Sequence, residues 1–370
     1  METSRLRAFR MRGPTDVLVV TFSNYVEGTT ARTAFGEHFL SGHGIDAVHV
    51  VAKDNHWFDV PEMDALIVAI RERAGDKRMI VYGSSMGGYA AIRFAARLGA
   101  ERAVAISPQY ALDRRRVPFE HRWRGDARRL RLAPTRPDAA APPAIIFFDP
   151  RNPDAGHVAA WSHDRRVEAV ALPYAGHPAG TYLAQVGLLG ESLLGIVAGT
   201  FDAATAAKEA RARRRCSGQY LAQLAAAQPG HRRRAALALA ARAAEVTPSA
   251  DYHGLHGSLR YRAGHDAAAE TAHRAALALA PVDALAAFRL SRFLQRTGRY
   301  AEALVAAEQA LVLDPHSRAL RQHRRAVLNS VRTPLNPLRL WARLLNRLRH
   351  RHNRAGWARG WPLLDRLARP

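Results

Sequence analysis

Six short apolar runs rich in β-branched residues mark the first half of the chain, and stretches with helical spacing separate them. The runs cover 16–22 (DVLVVTF), 44–51 (GIDAVHVV), 79–82 (MIVY), 103–106 (AVAI), 144–148 (AIIFF) and 167–172 (VEAVAL). Helices are predicted over 30–40, over 61–74 with Pro61 at a favoured helix-start position, over 89–98, and around 157–163. Strands alternating with helices predict an α/β fold whose mostly parallel sheet carries helices on both faces. Residues 113–143 interrupt the pattern: rich in arginine and proline and without periodicity, they read as a long surface excursion or lid over the strand ends.

The texture changes after the sheet. Residues 181–198 form an apolar helical stretch, and no strand signal follows residue 201. Gly230, Gly264 and Gly298 are spaced by 34 residues, as are Pro281 and Pro315, while Pro248 misses the phase by one. RAGHDAAAETAHRAALALAP (262–281) aligns with RTGRYAEALVAAEQALVLDP (296–315), and small residues recur at matching points: Gly257 with Ser291, Ala269 with Ala303, Ala276 with Ala310. A kept period of this length marks a helical repeat. These units resemble tetratricopeptide repeats over roughly 213–315, with 317–331 as a capping helix, and the resemblance implies a protein or peptide partner in their groove.

The chain therefore divides into an α/β domain over 1–200, an all-α repeat domain over 201–333 and a basic tail over 334–370. The tail combines arginines at helical spacing with Trp341, Trp357, Trp361 and a single acid, Asp365. Two readings stand: a weak contact with an anionic membrane surface, or a helix whose Leu/Trp face packs on the last repeat.

Composition narrows the function. At 370 residues, 48% hydrophobic and 24% charged, the chain reads as folded. A net charge of +23 raises nucleic acid as a partner, but lysine occurs only at 53, 77 and 208. Arginine and alanine enrichment of this kind reads as the codon bias of a GC-rich genome. No recognisable nucleic-acid-binding motif accompanies the charge, so nucleic acid is not favoured. The single Cys216 excludes an internal disulfide framework and a cysteine zinc cage. Residues 1–16 lack the apolar core of a signal peptide, and no run of eighteen apolar residues occurs, so a cytoplasmic protein is expected, at most peripheral to the inner face of the membrane through its tail.

The chemistry concentrates in RMIVYGSSMGGYAA (78–91). Gly83-Ser84-Ser85-Met86-Gly87 fits G-x-S-x-G between a strand and a helix, the sequence of a nucleophile elbow, in which flanking glycines permit a strained backbone and the serine stands clear of the sheet. Ser85 is the candidate nucleophile. A serine needs a base, and His177 lies in a Gly/Pro-set loop (PYAGHPAG, 173–180) just after the last strand. Between them, Asp149 and Asp154 follow the strand 144–148. Asp154 is preferred as the acid, because the carboxylate must reach sideways to the imidazole, and Asp149 is the alternative. The N–H of Met86 and one from the loop after 16–22, for which Asn24 is chosen, are the expected oxyanion donors. Trp57, Gln109 and Tyr110 follow strand ends and are expected to line the pocket.

With these residues, 17–198 resembles the α/β-hydrolase superfamily, as a compact member without the antiparallel hairpin that often starts the sheet. The resemblance implies a serine hydrolase, an esterase or thioesterase, working through an acyl-enzyme without metal or organic cofactor on a small-molecule, glycan or lipid acyl substrate. The rivals are an acyltransferase acting on a glycan or lipid and a non-catalytic repeat scaffold.

Overall fold

The computed structural model describes residues 1–26, 33–130, 132, 141–332, 344 and 348. Apart from Leu344 and Leu348, the basic tail assigned to 334–370 lies outside the described residues. The first compact unit, Met1–Tyr220, is built on a seven-stranded sheet. Its elements are β1 (Leu6–Met11), β2 (Val17–Phe22), α1 (Glu37–Gly42), β3 (Asp46–Ala52), α2 (Glu62–Ala74), β4 (Arg78–Ser84), α3 (Met86–Leu98), β5 (Arg102–Ile106), α4 (Arg124–Arg129), β6 (Ala144–Phe148), α5 (Asp154–Asp164), β7 (Val167–Ala171), α6 (Gly180–Gln185), α7 (Leu188–Ala198) and α8 (Ala203–Arg213). The strand order is β1-β3-β2-β4-β5-β6-β7, parallel throughout except for β1.

Side-chain alternation explains the layers. In β2, Leu18, Val20 and Phe22 enter the core beneath α2, α3 and α5, while Val17 and Val19 enter the opposite core with α1, α6, α7 and α8. Both faces of the central strands are covered, which is why they read as continuous apolar runs rather than alternating ones. The chain passes from β2 outward to β3 and then back across to β4, so the direction of winding reverses between β2 and β4. Open α/β sheets bind ligands at such a reversal, beyond the carboxyl ends of the strands.

Three sequence expectations need correction. The sheet has seven strands rather than six, because β1 pairs antiparallel with β3 from Leu6↔Ala52 to Met11↔Ala47; it is a single antiparallel strand, and among the described residues no consecutive strands of the sheet form an antiparallel hairpin. Its apolar signal is thin because Arg10 occupies a strand position and donates Nε–H to the buried Asp46 at 2.9 Å. The apolar stretch 181–198 is two helices, α6 and α7, separated at Gly187, whose φ of +78° stops an α-helix. The excursion over 113–143 is not all surface: Val117 and Glu120 are buried, and α4 lies within it. The first compact unit runs to Tyr220, and α8 adds Ala210 to the core on the second sheet face.

The second unit is all helical in its described residues: α9 (Gly218–Ala226), which crosses the division, α10 (Arg233–Val246), α11 (Ala250–Arg262), α12 (Asp266–Leu279), α13 (Ala284–Thr297), α14 (Tyr300–Leu313) and α15 (Arg318–Arg332). α11, α13 and α15 begin at Ala250, Ala284 and Arg318, and α12 and α14 at Asp266 and Tyr300, so the structural repeat keeps the 34-residue period. Ala269, Ala276, Ala303, Ala310 and Ser291 have no exposed surface. Small side chains there let adjacent helices approach closely.

Candidate active site

The elbow between β4 and α3 sets the centre of the site. Ser85 has φ 51° and ψ −116°, a conformation that L-residues rarely adopt, and its N–H donates to Ile106 O at 2.8 Å. Backbone strain of this kind persists only where the surroundings over-determine it. Here the glycines do so. A Cβ on Gly83 would lie 2.2 Å from Gly87 O, and one on Gly87 would lie 2.3 Å from Phe22 O, so neither position accepts a side chain. The same closeness lays the end of β2 at Phe22, and Ser23 after it, against the first turn of α3, which begins at Met86.

Three side chains from three strand ends converge. Ser85 Oγ lies 3.0 Å from His177 Nε2, and His177 Nδ1 lies 3.0 Å from both carboxylate oxygens of Asp154. Asp154 is the first residue of α5 rather than a loop residue, and it is fully buried. Burial opposes its ionisation, but the hydrogen bond from His177 and the charge of Arg122 outweigh that, and its pKa is held below the usual value. Asp149 does a different job. Its Oδ1 accepts the N–H groups of Arg151 and Tyr174 and its Oδ2 that of Gly176, so it fixes the loop that carries His177. Ala179 N–H donates to Ser107 Oγ and pins the same loop from the β5 side.

Behind Asp154 stands a buried polar chain that the sequence reading missed. Arg122 donates one Nη2 to Asp154 Oδ1 at 2.8 Å and to Glu120 Oε2 at 2.7 Å. Glu120 Oε2 also meets His157 Nε2 at 2.9 Å, and His157 Nδ1 accepts the Tyr110 N–H at 3.1 Å. Since Nδ1 accepts, the ring proton of His157 sits on Nε2 and is donated to Glu120. Burial resists the Glu120 charge, yet bonds from His157 and Arg122 bring its pKa far below the ordinary range. One arginine is thus the shared counter-ion of two buried carboxylates. Nothing in the sequence flagged it, because an arginine in an arginine-rich segment looks like solvated charge.

Two of the three residues expected to line the pocket are packed inside the unit, close to the serine. Trp57 and Gln109 are fully buried, and Trp57 Nε1 donates to Gln109 Oε1 at 3.2 Å. Gln109 Nε2 donates to Ser85 Oγ at 3.1 Å, so this side chain touches the candidate nucleophile itself. Tyr110 donates its hydroxyl to Asp164 at 2.6 Å and packs edge-on against Trp161. Trp123 was not anticipated either. It stands edge-on to His177 at 6.0 Å and packs with Tyr25 and Trp57 at 4.8 and 5.7 Å, forming an aromatic wall beside the imidazole.

No protein-family model matches the chain, and no curated protein matches it. Among solved structures it is similar to the capsule O-acetyltransferase of Neisseria meningitidis serogroup A, at 11% identity and a TM-score of 0.40, over 53% of this chain and 92% of that one. It is also similar to mouse alpha/beta hydrolase domain-containing protein 10, at 13% identity and a TM-score of 0.39, over 54% and 97%. A further likeness is to the TPR domain of Arabidopsis OM64, at 18% identity and a TM-score of 0.28, over 31% and 97%.

Proposed function

We propose that the chain is a serine acyl hydrolase in which Ser85 attacks, His177 moves the proton and Asp154 orients the imidazole. The observation that carries this reading is the Ser85 Oγ–His177 Nε2 contact of 3.0 Å, with His177 Nδ1 seated at 3.0 Å on the carboxylate of a serine-independent strand end. His177 takes the Ser85 proton on Nε2 as Oγ bonds to the acyl carbon and the carbonyl π pair moves onto oxygen. That oxyanion is held by the N–H groups of Met86 and Asn24, the former at the positive end of the α3 dipole. Collapse of the intermediate breaks the bond to the leaving alcohol or thiol, which takes the proton from His177. Water then attacks the acyl-serine, with His177 again as base, releasing the acid and restoring Ser85.

Asp154 remains ionised through this cycle, because the histidine N–H and Arg122 stabilise its charge. We propose the repeat unit as a protein- or peptide-binding element that takes no part in the chemistry; helical solenoids present extended surfaces suited to that use.

The test is labelling with a fluorophosphonate probe followed by peptide mapping. Label is expected on Ser85 alone, with p-nitrophenyl acetate turned over by the native chain. Ser85→Ala should take no label, and His177→Ala should lower turnover by about 10³-fold or more while the fold is kept. A folded sample that takes no label favours the scaffold reading. Faster release of p-nitrophenol in the presence of an alcohol or glycan, with the acylated acceptor as product, turns the reading into acyl transfer.

A further inference from the structure

Gln109 stands where no G-x-S-x-G pattern requires a residue. It is fully buried, follows β5, and makes four polar contacts. Its Oε1 accepts from Trp57 Nε1 at 3.2 Å; its Nε2 donates to Ser85 Oγ at 3.1 Å and to Ser107 O at 3.4 Å; its backbone O accepts from Trp161 Nε1 at 3.3 Å. The orientation of the amide is fixed by chemistry. An indole N–H can only donate, so the amide oxygen faces Trp57; a backbone carbonyl can only accept, so the amide nitrogen faces Ser107 and, with it, Ser85.

Every hydrogen bond along the line then has one direction. Gln109 N–H donates to Ser85 Oγ, Ser85 O–H to His177 Nε2, and His177 Nδ1–H to Asp154. A hydroxyl oxygen has one proton and two acceptor sites. With the proton on His177 and one site on Gln109, the remaining lone pair of Oγ is left for the acyl carbon.

Resting on the acyl-hydrolase reading above, we infer that Gln109 is a further catalytic residue, whose amide N–H, locked by Trp57, aims Ser85 Oγ and stabilises the negative charge that gathers on it as the acyl bond forms and breaks. Charge builds on Oγ twice: when its proton passes to His177 during attack, and when it departs from the acyl carbon during deacylation. The donor is in place beforehand and is itself fully buried, so no reorganisation is needed at either moment. Trp57 acts through Gln109 and is a positioning residue. Without its indole N–H the amide can turn and present its oxygen to Ser85, which would hold the hydroxyl proton away from His177.

Removing one preorganised donor of this kind lowers kcat by about 10²-fold, with KM nearly unchanged, because the bond strengthens in the transition state. The experiment compares the native chain with Gln109→Ala, Trp57→Phe and the double variant, on p-nitrophenyl acetate and with the fluorophosphonate probe, after circular dichroism shows which variants fold. Gln109→Ala is expected to lose about 10²-fold in kcat and to label Ser85 more slowly. Trp57→Phe keeps the ring and is expected to lose less. In the double variant, Trp57→Phe should add no further loss to Gln109→Ala, since its effect runs through the amide. Should Gln109→Ala fail to fold, Trp57→Phe decides alone through its kcat and labelling rate, with KM as the control. A native chain that labels and turns over, with folded variants within threefold of it in kcat, overturns the role of Gln109 only; so do losses that simply add in the double variant. A native chain that takes no label overturns the hydrolase reading and this inference with it.

Discussion

The two units bury different things. In the first, polar and strained groups collect at one edge of the sheet: Asp154, Glu120, His157 and Asp149 are buried there, beside a serine with positive φ. In the second, the buried positions are dominated by alanine, with Ala240, Ala243, Ala269, Ala276, Ala303 and Ala310 at or near zero exposure, and His273, Ser291 and Ser330 among them. The difference teaches where cost is tolerated. Buried charge and strained backbone oppose folding, and they persist at the sheet edge because they fix the positions of a few atoms to within a hydrogen bond. The repeat unit has no such demand and packs by close approach of small side chains.

The largest expected effects test the sheet edge. Asp154→Asn should lower turnover by about 10⁴-fold, because an amide can favour the wrong imidazole tautomer. Asp149→Asn should cost much less, since Asp149 holds the His177 loop through backbone N–H groups and does not touch the ring. Steady-state rates on p-nitrophenyl acetate decide, and equal losses in the two variants would remove the distinction between acid and loop anchor.

Next in size is a paired stability test across the units. Arg122→Ala leaves Asp154 and Glu120 buried without their shared counter-ion, and a loss of about 3 kcal/mol is expected. Arg242→Ala in α10 removes only an exposed pair with Glu245, for which less than about 0.5 kcal/mol is expected. Urea unfolding of both variants, fitted with a common slope, gives the two numbers. A small loss for Arg122→Ala would mean that the carboxylates find another partner or take up protons.

Acid should separate the repeat histidines from the sheet-edge carboxylates by pH window. In the repeats, burial lowers the pKa of His273 and of His323 to about 4, with Arg289 and Arg292 adding to the effect. Unfolded histidine titrates near 6.5, so between pH 6.5 and 4 the unfolded chain binds more protons and the repeat unit loses stability as pH falls. For His273 the slope reaches at most about 1.4 kcal/mol per pH unit. At the sheet edge the sign of the window differs in position, not direction. Asp154 and Glu120 have depressed pKa values, so their contribution is intact above the unfolded carboxylate range near 4 and is lost only below it. Calorimetric scans from pH 7 to 3 should show the dependence above pH 4.5 flattened by His273→Leu and untouched by Asp154→Asn.

Much of this was legible in the sequence, and the parts that were not share a cause. The six parallel strands, the elbow and the 34-residue period are local signals, carried by residues next to each other or at fixed spacing. β1 escaped because its Arg10 looks like solvent-facing charge until Asp46 is found beside it. Arg122 and Glu120 escaped for the same reason: a buried ion pair and an exposed one have the same letters, and only the fold tells them apart. Gln109 was placed near the site by its position after a strand, but its direction depends on Trp57, which lies more than fifty residues earlier in the chain.

The smallest expected effect asks whether glycine serves the two units alike. Gly298 ends α13 with φ 86°, a left-handed position where any side chain is strained. Gly298→Ala should therefore cost about 1 kcal/mol, offset in part by the lower entropy of an unfolded alanine, and should leave turnover unchanged. Gly87 is different in kind: its φ is not positive, and what forbids a side chain is the Phe22 carbonyl oxygen 2.3 Å from where a Cβ would stand. That backbone ends β2 and leads directly into the loop proposed to supply an oxyanion donor. Gly87→Ala must therefore move the β2 end away from α3, so its loss of turnover should exceed what its change in melting temperature accounts for. Measuring melting temperature and kcat together for both variants sharpens the contrast. If Gly87→Ala loses stability but keeps kcat, the loop after β2 takes no part in holding the oxyanion, and Met86 is left as the only backbone donor of the proposed pair.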